Sequence, residues 1–186
     1  LASLCEKGAA YLEENETGRK YLAVPVQEFC EEKIDQLKNE EDWLLLHAPV
    51  QKKEEEGYIT ISGQEAVESK ARGLLKKAEE RVYISAGQSF LKVVLPDLQT
   101  LSDAGKKVVI ITDWEELQEP GTIYRAGDKK GQVGMIVDSS FVLSGEYGER
   151  SGNTCLYTGQ RNFVEIFKEA MANEIKVIEL TKGEKN

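Results

Sequence analysis

AVESKARGLLKKAEERVYISAG, residues 66–87, followed by DAGKKVVIITD, residues 103–113, is the stretch of sequence that decides the fold. RVYISA (81–86) and KVVIIT (107–112) are short apolar runs of the length of a β-strand. The segment before the first run has the apolar positions of an amphipathic helix, at Ala66, Leu74, Leu75 and Ala78. Helices that alternate with apolar strands predict an α/β domain in which helices cover a sheet.

Further strands are predicted on both sides of this stretch. A strand at residues 57–62 precedes it, and four more follow it, at residues 121–127, 132–138, 141–148 and 153–158. The later strands follow one another without helices between them, which is typical of antiparallel pairing. The expected fold class is therefore α/β, with a mixed β-sheet sandwiched by helices.

Two further helices complete this predicted domain. The first runs over residues 90–104 and is expected to be capped by Ser89, and Pro96 should break or kink it. The second is an amphipathic helix over residues 160–175. Residues 177–180 continue it either as a helical extension or as a short strand.

The N-terminal residues have a different pattern. LASLCEKG (1–8) has the features of a helix end, with Gly8 after the last turn. Residues 9–14 and 19–24 predict two strands, joined by the turn residues 15–18. A two-stranded hairpin does not bury a core by itself, so we expect the chain to be a fragment that lacks preceding helices.

A helix from Val26 to about His47 follows Pro25 and leads into a polar connector, residues 48–56. Its apolar stripe consists of Cys30, Ile34, Leu37 and Leu44 and is interrupted by Glu41. Such a stripe is compatible with a coiled-coil seam or with packing on a domain. The expected domains are residues 1–25, residues 26–56 as linker helix and connector, and residues 57–186.

Charge and cysteine content limit the possible functions. The chain carries 24 Lys and Arg against 33 Asp and Glu, a net charge of −9, so as a whole it is a poor ligand for DNA. Residues 26–56 hold ten acidic residues and four lysines, a net charge of −6, so an acidic linker accounts for most of the excess. The single histidine, the odd cysteine count and the absence of CxxC predict no metal site, disulfide or cofactor. Without a signal peptide or a membrane-length apolar run, the chain is expected to be cytoplasmic.

Residues 4–29, LCEKGAAYLEENETGRKYLAVPVQEF, resemble the end of the recognition helix, the wing and the linker of TrmB-type transcriptional regulators. The segment YLAVP (21–25) corresponds to the exit from the wing. Residues 66–87 and 103–113 resemble the phospholipase-D-like middle domain of the same family. The resemblance implies a ligand-responsive regulator that binds operator DNA, responds to a sugar or related metabolite, and forms a homodimer.

The phospholipase-D signature, His-x-Lys-x4-Asp-x6-Gly-Ser, is half present. Asp138 and Gly145 match its second half, and Glu146 replaces the serine. Counting back, Gly131 occupies the histidine position and Val133 the lysine position. Since neither side chain can attack phosphorus or hold phosphoryl oxygens, the resemblance implies a retained fold without catalysis. A chance match at Asp138 and Gly145 is the alternative.

Four residues are candidate DNA contacts because the resemblance places them at the recognition helix and the wing: Ser3, Lys7, Arg19 and Lys20. For Arg19 and Lys20 the alternative is ordinary solvated strand charge. Candidate ligand contacts lie near the predicted strand ends and the vacated catalytic position: Ser85, Gln88, Ser89, Thr112, Asp113, Asp138, Glu146 and Tyr147. Helix capping is the alternative for Ser89, whereas Asp113 beside Trp114 suits sugar recognition or is the start of a solvated loop.

Two other functions are compatible with the sequence. A phosphodiesterase or nuclease of the phospholipase-D class would require a histidine and a lysine in the pocket. A dimerisation module without a ligand would give no response to metabolites.

Overall fold

The computed structural model describes residues 1–15, 18–48, 57–148 and 152–183. The chain divides into two compact units, Leu1–Gln51 and Lys52–Asn186. Predictions for the hairpin turn at residues 16–17 and for the connector at residues 49–56 lie outside the described residues. The three-segment division expected from the sequence stays a prediction. In the described part of the chain, no helix is both long and apolar enough to cross a bilayer.

The first unit contains a short helix, a hairpin and a long helix: α1 (Ala2–Glu6), β1 (Ala10–Asn15), β2 (Gly18–Ala23) and α2 (Val26–His47). Gly8 has φ +76°, and the N–H groups of Gly8 and Ala9 donate to the carbonyls of Cys5 and Leu4. This hydrogen-bond pattern ends α1 as the glycine predicts. The Tyr11 hydroxyl donates to Glu28 at 2.8 Å, which fastens the hairpin to α2.

The second unit is an α/β domain. Its elements in chain order are β3 (Tyr58–Ser62), α3 (Gln64–Lys77), β4 (Arg81–Ala86), α4 (Gln88–Asp103), β5 (Lys107–Thr112), β6 (Thr122–Arg125), β7 (Gln132–Val137), β8 (Phe141–Glu146), β9 (Thr154–Thr158) and α5 (Arg161–Gly183). The predicted strands are all present, and their ends differ from the predicted ones by at most two residues.

The sheet has seven strands in the order β3-β9-β8-β7-β4-β5-β6. β4, β5 and β6 are parallel, and every other neighbouring pair is antiparallel. The larger core cluster joins one face of the sheet to α3 and α4, and includes Val67, Leu75 and Leu98. The smaller cluster joins the other face to α5 through Val164 and Met171. The mixed sheet between helices confirms the expected fold class.

Two helices differ from their sequence predictions. α4 begins at Gln88, with Gly87 at its N-cap and no side-chain cap, so Ser89 is a first-turn residue rather than the predicted cap. α4 also continues through Pro96, so of the predicted break or kink the break is wrong. Proline removes a backbone donor, and Arg72 of α3 donates to the nearby Val93 carbonyl at 2.7 Å. α5 extends to Gly183, so residues 177–180 are helical.

Asp138 joins the β7–β8 turn to the start of β4. Its two carboxylate oxygens accept the backbone N–H groups of Glu79, Glu80 and Arg81 at 2.7, 2.8 and 2.9 Å. Burial opposes ionisation of Asp138, but the three donors together outweigh burial and hold the pKa of the carboxyl below its usual value. Asp138 therefore fixes where β4 enters the sheet.

We expect Asp138→Ala to lower the free energy of unfolding by about 2 kcal/mol at pH 7, because three backbone donors lose a charged acceptor. The folded-state pKa of Asp138 lies below its unfolded value. Its contribution is therefore complete above the unfolded value, roughly pH 4, and is lost as the pH falls through the folded-state pKa. Urea unfolding at several pH values measures both effects. Glu116→Gln, at an exposed carboxyl, is the control, and equal losses at pH 7 and pH 2.5 would contradict this role.

Candidate functional site

A pocket of about 560 Å³ lies where the parallel strands β4, β5 and β6 end. In sheets with parallel strands, ligands bind at this carboxyl end, because the loops there are free to shape a cavity. Three segments form its wall: the start of α4, the loop after β5 and the β6–β7 loop. The lining residues are Gly87, Gln88, Ser89, Asp113, Glu115, Ala126, Gly127, Asp128, Lys130 and Gly131.

Asp113 lies against the N-terminus of α4. A β-carbon at Gly87 would lie 3.5 Å from Asp113 Oδ1, an ordinary van der Waals contact, so the carboxylate lies directly beside the N-cap residue. A carboxylate beside the positive end of a helix dipole is electrostatically favoured. Because Asp113 already occupies this position, the helix end is less available to an anionic ligand.

The same carboxylate holds the β6–β7 loop. Asp113 Oδ2 accepts the backbone N–H of Lys129 at 2.9 Å. The Lys129 side chain is only 8% exposed and forms an ion pair with Glu174 of α5. Ser85 Oγ donates to the other Glu174 oxygen at 3.2 Å. A polar network therefore runs from the pocket wall to α5.

The structure brings three of the eight predicted ligand contacts together in the pocket, namely Gln88, Ser89 and Asp113. Ser85 and Thr112 lie next to it along β4 and β5, but their side chains are engaged elsewhere. Ser85 binds Glu174, whereas Thr112 is fully buried and accepts the Trp114 N–H at 3.1 Å. Trp114 packs on the core, with the Lys92 ammonium 5.7 Å from its ring centre. One ring face is therefore already occupied by a protein cation.

Glu146 and Tyr147 lie at the end of β8, which is at the same end of the sheet as the pocket. Glu146 is exposed, whereas Tyr147 is buried and packs edge-on against Phe90. The Tyr147 hydroxyl donates to Glu68 of α3 at 2.5 Å. Burial and this contact raise the pKa of Tyr147 to about 12, and the same hydrogen bond lowers the pKa of Glu68. The hydroxyl of Tyr147 is thus committed to α3.

Asp138 is separated from the other candidates by the whole length of β7. Since a strand rises about 3.3 Å per residue, Asp138 and Gly131 lie roughly 20 Å apart. Gly131 lines the pocket, with φ +79°, and a β-carbon there would come 3.0 Å from the Tyr147 carbonyl oxygen. Val133 is 3% exposed and belongs to the core. The histidine position of the signature therefore faces the pocket, whereas the lysine position does not.

Sequence reasoning missed Lys129 and Glu174. A lysine in a loop sequence such as GDKKG predicts solvent exposure, and nothing local shows that one of two adjacent lysines turns inward. Sequence reasoning also missed the charged pocket residues Glu115, Asp128 and Lys130, for which proximity to a strand end was the available signal. Over the described ranges, no group of three or more His, Cys, Asp or Glu side chains is placed to hold a metal ion.

The candidate DNA contacts all lie in the first unit. Ser3 and Lys7 are exposed, one turn apart at α1. Arg19 is paired with Glu14 at 2.8 Å, and Lys20 lies opposite Glu13 across the hairpin. Adjacent strand residues point to opposite faces, so Arg19 and Lys20 do not serve a single surface.

The structure is an α/β domain with a mixed seven-stranded sheet and a pocket at its strand ends, preceded in the chain by a helix, a hairpin and a long helix. The family described as "Transcriptional regulator TrmB, EBD N-terminal subdomain" matches residues 57–168, more than half of the chain. The chain therefore belongs to the TrmB family of transcriptional regulators, which confirms the resemblance seen in the sequence. No curated protein sequence matches the chain.

Solved structures share the fold at low sequence identity. TrmBL2, an archaeal chromatin protein with a novel mode of DNA binding, aligns with a TM-score of 0.52 at 20% identity, covering 93% of this chain and 77% of its own. NucT from Helicobacter pylori aligns with a TM-score of 0.52 at 14% identity, covering 64% and 97%. Nuc from Salmonella typhimurium, a phospholipase D family member, gives a TM-score of 0.45 at 12% identity, covering 63% and 93%.

We expect Tyr147→Phe to raise the pKa of Glu68, because the hydroxyl is the main cause of its lowering. NMR titration of the Glu68 side chain measures this shift. Tyr124→Phe is the control, since the Tyr124 hydroxyl lies 3.3 Å from Glu179 instead. An unchanged Glu68 titration in Tyr147→Phe would show that the hydroxyl points elsewhere.

Proposed function

We propose that this chain is the sensor part of a DNA-binding regulator, and that its effector is a small, uncharged, hydroxylated molecule such as a sugar or related metabolite. The effector binds at the pocket formed by Gln88, Ser89 and Asp113. Its binding changes the spacing of two DNA-binding units in a cytoplasmic homodimer, and the domain carries out no catalysis. The main support is the position of this pocket at the strand ends of a TrmB-family regulator domain.

The charges of the pocket support an uncharged ligand. Of the residues that the structure describes, three acids line it, Asp113, Glu115 and Asp128, against one cation, Lys130. Carboxylates accept hydrogen bonds from hydroxyl groups, whereas they repel phosphates and other anions. Asp113 also offsets the helix dipole that otherwise attracts an anion.

The vacated signature positions support the absence of phosphodiester chemistry. Gly131 has no side chain to act as a nucleophile, and its positive φ disfavours a histidine there. Val133 is a core residue, so a lysine substituted there would be buried without a partner unless the core opened. Release of p-nitrophenol from bis(p-nitrophenyl) phosphate at a rate proportional to enzyme would contradict this part of the proposal.

A thermal-shift panel of neutral sugars, polyols and their phosphorylated forms tests the effector. At a concentration 100 times the Kd, a native-state ligand adds about 2.7 kcal/mol, which corresponds to a rise in Tm of roughly 5–10 °C. We expect a neutral compound to give the shift and its phosphorylated form to give a smaller one.

Ser89→Leu should abolish the shift by filling the pocket. Ser69→Leu, at an exposed serine of α3, is the matched control and should keep it. A flat response across the panel would favour a dimerisation module without a ligand.

The DNA-binding part of the proposal is supported by family membership and by the helix and hairpin of the first unit. Lys7 and Lys20 are exposed cations there, whereas Arg19 is already paired with Glu14. We propose that Lys7 and Lys20 contact phosphates, with Ser3 beside them, and that Arg19 contributes less.

Binding to the DNA upstream of the gene, measured by fluorescence anisotropy over a series of salt concentrations, tests this proposal. Each lost phosphate contact reduces the slope of log K against log salt by about 0.9. We therefore expect Lys7→Ala and Lys20→Ala to reduce it by that amount each, and the exposed Lys77→Ala of α3 to leave it unchanged. Equal slopes for all four proteins would contradict these contacts.

A further inference from the structure

The β6–β7 loop presents consecutive side chains in opposite directions. Asp128 and Lys130 are exposed and line the pocket, whereas Lys129 between them is buried. A buried ammonium requires a partner, because the low-dielectric interior penalises an unpaired charge. Its partner is Glu174, which belongs to a helix and not to the pocket. One residue therefore connects the pocket loop with α5.

The connection is continuous from the pocket to the helix. Asp113, in the pocket wall, accepts the Lys129 N–H at 2.9 Å and so fixes the position of the loop at that residue. Lys129 then binds one oxygen of Glu174, and Ser85 of β4 donates to the other at 3.2 Å. Because Lys129 and Glu174 are in direct contact, a movement of the Lys129 backbone changes their ion pair without an intermediate side chain.

The two halves of α5 are held on the sheet in different ways. The first half packs through apolar side chains, among them Val164, Phe167 and Met171. Beyond Met171, the contacts with the sheet include the Glu174 network and the Glu179 bond to Tyr124. The second half also buries Ile178, so its attachment combines this apolar contact with the polar ones, whereas the first half is held by an apolar cluster.

We propose that Asp113, Lys129 and Glu174 form a relay through which the state of the pocket controls the attachment of the second half of α5. The proposal rests on the proposed function, because it takes the effector to act on Asp113. A ligand that weakens or strengthens the hydrogen bond between Asp113 and the Lys129 N–H thereby weakens or strengthens the attachment of the second half of α5 to the sheet. Lys129 is a positioning residue here and need not touch the ligand.

Hydrogen exchange of the ligand-free chain, followed by mass spectrometry, tests the relay. In Asp113→Ala we expect the amides of residues 172–180 to exchange at least five-fold faster, and those of residues 161–170 to keep their rates. Asp128→Ala is the matched control, because its carboxylate accepts only the Lys130 N–H among the described contacts. Faster exchange along all of α5, or an equal change in Asp128→Ala, would overturn the relay.

A double-mutant cycle provides a second, independent measurement. If Asp113 and Glu174 act separately, the fold-changes of Asp113→Ala and Glu174→Gln in the unfolding equilibrium constant multiply. We expect the fold-change of the double variant in this equilibrium constant to be smaller, by at least three-fold, than the product of the two single fold-changes. Glu165→Gln, which removes a charge bound to Lys168 on the first half of α5, should multiply with Asp113→Ala.

Both experiments are carried out without a ligand, which separates this inference from the proposed function. Multiplicative effects and unchanged exchange would overturn the relay and leave ligand binding at the pocket intact. A flat thermal-shift panel would contradict the effector and leave the relay standing.

Discussion

Burial of β5 and β7 on both faces of the sheet is the constraint on which the rest of the domain depends. Five of the six residues of each strand are buried, so apolar elements must cover both faces. α3 and α4 cover one face and α5 covers the other. Gly134 of β7 makes the second contact possible, because a β-carbon there would lie 2.8 Å from the Phe167 ring.

The sheet also separates structural from candidate functional groups. At one end, Asp138 collects three backbone N–H groups and fixes the entry of β4. At the other end, the parallel strands finish at a pocket whose walls are loops and the start of α4. The aspartate position of the phospholipase-D signature therefore lies at the end that stabilises the fold, whereas the histidine position, Gly131, lies at the pocket.

Membership of the TrmB family concerns the class of protein, whereas the likeness to NucT concerns only the fold. The likeness is one of fold, at 14% identity, and fold alone does not carry chemistry. Among the described residues, the polar groups at the pocket are carboxylates, an amide, a hydroxyl and the Lys130 ammonium, and these groups are the basis of the proposed recognition of a hydroxylated molecule.

The sequence by itself determined the order and type of nearly all elements, because apolar periodicity and turn residues are local signals. It also placed Gln88, Ser89 and Asp113 correctly at strand ends, since parallel strands bring their ends to one edge. It misjudged the start of α4 and allowed for a break at Pro96, whereas the helix continues through Pro96 with its buried face packed in the core. Only the tertiary structure decided that Lys129 turns inward to Glu174, 45 residues away, and that Tyr147 is committed to Glu68. Such partners are set by how distant elements pack, and no local pattern encodes them.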